Sequence, residues 1–171
     1  IDRTPAAATT RDTMVMRAEL HAARGLAVAQ AGKPVEGAGM CTAALDMLNN
    51  IMGTDVLTPR EEIVKSKVMT ARARCLQATD KGAALEAICH AVRILEPLVA
   101  AHPARYDCAL QLCKSRILLA ALTLPDDRAS ALRVAQDNTE ALRRLVALHP
   151  QHADAAQALI RALRLNVSTF K

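Results

Sequence analysis

The chain has 171 residues, 51% hydrophobic and 23% charged, which suits one domain with a buried core and excludes a disordered chain. Its apolar residues are mostly Ala, Leu, Val, Ile and Met, with one Tyr, one Phe and no Trp, a mixture that favours helix over strand. The net charge is +5, but the cations are spread among Asp and Glu and do not form the basic stripe of a nucleic-acid reader, so nucleic acid is not an expected partner.

Residues Ile1 to Thr10, with Pro5 and a run of small residues, read as a linker. A first helix is predicted from about Arg11 to Ala31, on Met14, Ala18, His21, Ala22, Gly25, Leu26 and Ala29 at spacings of three and four. Gly32-Lys33-Pro34 stops it. A second helix, about Val35 to Met52, carries Met40, Ala44, Leu45, Leu48 and Met52, and Gly53 closes it. After the loop Thr54 to Leu57, Thr58-Pro59-Arg60-Glu61 reads as a capping box with Pro at the first helical position. The third helix is predicted to reach about Ala78. Thr79-Asp80-Lys81-Gly82 turns the chain into a fourth, about Ala83 to Ala101, which Pro97 should kink or end early. His102-Pro103 breaks it, and a fifth helix covers about Ala104 to Leu122. Asp126 is a good N-cap for a sixth, about Asp127 to Leu148. His149-Pro150 breaks again before a seventh, about Gln151 to Asn166.

Helices of similar length joined by short turns imply antiparallel pairs. The segment Leu98-Val99-Ala100-Ala101-His102-Pro103 is echoed by Leu145-Val146-Ala147-Leu148-His149-Pro150, and an Asp follows each, at Asp107 and Asp154. A duplicated unit of that kind implies stacked pairs, each burying its face on the next. The expected fold is therefore all-α: about seven helices in antiparallel pairs stacked as a short α-solenoid, forming one domain over residues 11–171.

Gly25, Val28, Gly32, Gly37, Cys41, Ala44 and Leu45 fall at the spacing of a helix-turn-helix repeat, and Ala71, Cys75, Ala84, Ile88 and Ala91 occupy comparable places further on. On these residues the chain resembles the tetratricopeptide repeat family. Asn49 stands where that family usually has Pro, and Val28 and Cys41 fill its aromatic positions. The resemblance implies a right-handed solenoid whose alternate helices line a concave groove. Carried over, the groove positions are Glu19, Ala22, Leu26 and Ala29 of the first helix and Ser66, Met69, Ala73 and Leu76 of the third. Those of the fifth are Leu110, Cys113 and Ile117. These are mostly small and apolar, so the resemblance implies a protein or peptide partner offering an apolar segment or amphipathic helix.

Candidate chemistry is sparse. Cys89 and His90 point about 100° apart on a helix, and Cys108 and Cys113 are similarly divergent. His102 and His149 precede prolines at helix ends, where an imidazole can bond the last carbonyls. Glu61-Glu62 and Asp126-Asp127 sit at helix starts, where the macrodipole favours negative charge. No metal, cofactor or catalytic motif is identified, and the chain is not read as an enzyme. Lys65, Lys67, Arg72 and Arg74 of the third helix share faces in pairs and form a candidate basic patch for a partner's acidic surface. The odd number of cysteines, five, does not suit a secreted disulfide framework and points to a reducing, cytoplasmic setting. No apolar run is long enough to span a membrane. The first residue is Ile, not Met, which suits a segment of a larger protein. Two other functions fit the same sequence: self-association through an uncapped end carrying Leu163, Leu165, Val167 and Phe170, or a helical-bundle enzyme or small-ligand binder with an enclosed pocket.

Overall fold

The computed structural model describes residues 5–52 and 57–168, with side chains over 11–50 and 57–166. Among the described residues there are seven helices and no strand: α1 (Pro5–Gln30), α2 (Pro34–Met52), α3 (Pro59–Leu76), α4 (Lys81–Ala101), α5 (Tyr106–Thr123), α6 (Arg128–Leu148) and α7 (Ala153–Ser168). None is long and apolar enough to cross a membrane. The chain divides into two compact units, 1–87 and 88–171. The expected stop at Gly53, the loop after it, and the side chains of Met52, Val167 and Phe170 lie outside the described residues.

In the first unit α1 begins at Pro5, inside the segment read as a linker. Proline suits a helix's first turn, and the Ala run behind it has high helix propensity. Gly32, at φ +90°, ends the helix, and the Lys33 amide donates back to the Val28 carbonyl at 3.2 Å. That left-handed stop sets up Pro34 to begin α2. The capping box of α3 is present: the Thr58 amide donates to the Glu61 carboxylate at 2.8 Å, and the Glu61 amide to the Thr58 hydroxyl at 3.4 Å. α3 then ends two residues before the expected Ala78.

Cross-helix contacts give the packing directions. Gly25 and Gly37 meet where α1 and α2 cross, while Cys41 further along α2 reaches back to the Ala22 carbonyl earlier in α1, so the pair is antiparallel. A Cβ built on Gly37 would lie 2.3 Å from the Gly25 carbonyl oxygen, so the two backbones touch. Arg60 donates to Asp12, Lys67 to Glu19 and Cys75 to the Gly25 carbonyl, in rising order along both chains. α1 and α3 are therefore parallel. The core between them is thin, made of Val15, Ala18 and Ala22 from α1, Ala38, Cys41, Ala44 and Leu48 from α2, and Val64, Val68, Ala71 and Cys75 from α3.

The second unit holds the latter part of α4 and α5 to α7. α4 runs through Pro97 to Ala101, the expected end, so of the two effects expected of the proline, a kink or an early end, the early end does not occur. Pro97 and Arg93 are both exposed, so water can serve the Arg93 carbonyl that loses its amide partner. The N-cap of α6 is Asp127, one residue past the expected Asp126; it accepts from the Ser130 amide at 2.9 Å. Leu110, Cys113, Leu142, Leu145, Ala155, Ala158 and Ala162 form this unit's core. Asn138 is fully buried and donates through Nδ2 to the Cys113 carbonyl at 3.1 Å, while its Oδ1 has no partner.

Candidate functional site

Of the positions expected to line a groove, Ala22, Ser66, Met69, Ala73, Leu110 and Cys113 are buried and Leu26, Ala29, Leu76 and Ile117 are partly buried. Ala22 is buried in the first core, and Leu26, Ala29 and Leu76 pack against it. Ser66, Met69 and Ala73 are buried on the other face of α3. Leu110 and Cys113 belong to the second core, with Ile117 against them. Only Glu19 keeps a polar, partly exposed role, accepting from Lys67 Nζ at 2.7 Å. The reason is the helical period: Ala22, Leu26 and Ala29 share the stripe of Val15 and Ala18, and burying that stripe is what drives α1 to pack.

Two cations of the candidate basic patch, Lys65 and Lys67, are engaged by neighbours on other helices. Lys65 donates to Asn49 Oδ1 at 3.3 Å, Lys67 pairs with Glu19, and Arg72 and Arg74 are half-buried. Arg72 Nε is buried without a hydrogen-bond partner, and the Arg72 charge acts on Cys41. Burial dominates there all the same, pushing the Cys41 thiol up to about 12; Cys75 beside it is raised by burial too. Both are inert thiols at neutral pH.

What α1 leaves uncovered is a second apolar stripe. Met16, Leu20, Ala23 and Ala27 are all exposed and recur at spacings of four, three and four on the side opposite the core. Met16 is 54% and Leu20 68% exposed, and with Ala23 and Ala27 they form a continuous apolar strip, not scattered single side chains. Arg17 and Arg24 border one edge, and neither meets a carboxylate among the described residues. Asp12 and Glu19 border the other, but Arg60 and Lys67 already neutralise them. The exposed seam is thus apolar along its centre with one free cationic edge. The sequence signal for it was present; Ala, Leu and Met occupy both faces of α1, and periodicity alone does not say which stripe is buried. α7 carries a shorter strip at the same spacing, with Ile160 and Leu163 exposed and Ala156 partly so; Ile160 is 50% exposed.

A polar cluster closes the start of α5 onto the α6–α7 turn. The Tyr106 hydroxyl donates to Asp154, Lys114 approaches the same carboxylate at 3.7 Å, and the Tyr106 ring stacks on His152 and meets His149 edge-on. Neither imidazole was expected in such a stack. Burial, then the bond to Asp154, pushes the Tyr106 hydroxyl up to about 12, and that same bond holds Asp154 below the usual carboxylate range. Among the described residues no group of His, Cys, Asp and Glu is placed to hold a metal ion. Comparison with protein-family models, curated proteins and solved structures returns no match.

Proposed function

We propose that the chain is a non-catalytic protein-interaction module, built as a tetratricopeptide-like, right-handed stack of helix pairs and working in a reducing cytoplasmic setting within a larger protein. The alternation of an antiparallel α1–α2 pair with a parallel α1–α3 pair supports the repeat reading. The observation that carries the interaction reading is the exposed Met16–Leu20–Ala23–Ala27 seam on α1. Spacings of four and three are those with which one helix meets another, so the occupant is an amphipathic helix of a partner protein laid along α1. Methionine and leucine supply adaptable apolar contact, and the free Arg17 and Arg24 edge selects a partner helix bordered by Asp or Glu.

Affinity capture with the wild-type chain and with a Met16→Glu, Leu20→Glu double variant tests this. Both side chains are exposed, so the variant should keep its helical signal and melting temperature. A captured protein should be lost from the double variant and retained by Ile160→Glu. A partner set unchanged by the double variant removes the seam as the docking surface. The exposed Ile160 and Leu163 of α7 favour a second reading, self-association through that helix. It predicts a concentration-dependent mass by light scattering that Ile160→Glu abolishes.

A further inference from the structure

We propose that the recess between α4, α5 and α6 in the second unit is a socket for one arginine side chain presented by a partner protein. Its lining is Val92 and Glu96 from α4, Arg116 and Leu119 from α5, and Val134 and Asp137 from α6. The volume is about 130 Å³, close to that of a cavity that takes a benzene-sized group, about 150 Å³. That is room for a side chain, and far too little for a cofactor or a drug-sized ligand.

The chemistry of the walls is divided. Val92 is buried, and Leu119 and Val134 are partly buried, giving an aliphatic interior. Glu96 and Asp137 are exposed at the mouth. Arg116 donates through one Nη to Glu96 Oε1 at 2.8 Å, which leaves the second oxygen of Glu96 open. Asp137 has no ion-pair partner among the described residues. Two carboxylates against one guanidinium give the recess a local charge of opposite sign to the chain's net +5.

An arginine side chain matches both halves. Its methylene stem lies against the aliphatic walls, and its head meets the free carboxylate oxygens. Arginine is preferred to lysine for two reasons: a guanidinium is weakly hydrated, so it enters a half-apolar site at smaller desolvation cost, and its planar fork can reach two carboxylates at once. The socket extends the interaction reading to a second place on the chain, and it is assayed independently of the α1 seam.

The test is a titration of the isotope-labelled chain with a short blocked peptide, one arginine flanked by alanines, followed by NMR at the Leu119 and Val134 methyls. Saturable shifts should be confined to the recess. Replacing the arginine by citrulline, its neutral isostere, should weaken binding on the order of tenfold, as should Asp137→Asn in the chain. Asp137 is exposed, so that variant keeps the fold; Glu96→Gln is the second, read with a melting curve to show that the Arg116 pair is not needed for folding. Citrulline binding as well as arginine, shifts spread over surface carboxylates outside the recess, or no shift at all would each overturn the socket. A lysine peptide binding as tightly as the arginine peptide would overturn the guanidinium assignment. Every one of these results leaves the Met16 and Leu20 test standing.

Discussion

Glu61 is the residue whose several bonds are most worth separating. It closes the capping box of α3 and also takes the guanidinium of Arg11 from α1, with only 7% of its side chain exposed and 12% of Arg11's. The Arg11 bond, aided by Thr58, holds its carboxyl at about 2. A carboxyl depressed on folding stabilises the protein above the ordinary carboxylate range, and that contribution is lost as pH falls from about 4.5 towards 2. The expected size is on the order of 3 kcal/mol. Melting temperature followed from pH 7 downward should drop through that window, and Glu61→Gln should start lower at pH 7 and flatten the drop. Half of this residue's role was legible in Thr58-Pro59-Arg60-Glu61, because a cap is written in adjacent residues. The other half was not, because Arg11 is fifty positions away and nothing local announces it.

At the scale of elements, two glycines of α2 separate backbone proximity from helix propensity. Gly37 faces the Gly25 carbonyl, where a Cβ would come within 2.3 Å of backbone, whereas a Cβ on Gly39 meets nothing within 4 Å. Alanine is the better helix former by about 0.5–1 kcal/mol. Gly39→Ala should therefore stabilise the chain by about that amount. Gly37→Ala should lose that gain and destabilise by about 1–3 kcal/mol, because α1 and α2 must part to admit the methyl. Chemical denaturation of the two variants side by side checks both signs. The existence and order of the helices were legible because stops such as Gly32-Lys33-Pro34 and His102-Pro103 are local. Pro97 left two outcomes open, a kink or an early end, for the opposite reason: whether a helix continues past a proline depends on whether solvent reaches the freed carbonyl, which is a property of the packed chain.

For the whole molecule, composition announced an all-helical chain, since a core of Ala, Val, Cys and Leu without aromatics closes most readily between helices at short range. The placement of functional candidates was much less legible. Leu26 and Leu20 are the same residue type six positions apart, one packed against the core and one 68% exposed, and only three-dimensional packing distinguishes them. The net charge of +5 and the free Arg17 and Arg24 edge bear on rates. Association with an acid-bordered partner helix should slow several-fold between about 0.05 and 0.5 M salt, with dissociation little changed. Stopped-flow or surface-based kinetics would read the two rates separately.

Asn138 has a consequence for uniqueness. A thin interior of near-interchangeable alanines and leucines tolerates neighbouring helices sliding past each other by a turn. The amide of Asn138 finds the Cys113 carbonyl at one alignment only, and any slipped alignment strands its donor in an apolar interior at a cost of about 1–3 kcal/mol. It works as a key in a keyway, giving up some cohesion to make one alignment win. Asn138→Leu should melt higher yet broaden the methyl resonances of α5 and α6, as several alignments come to share the population.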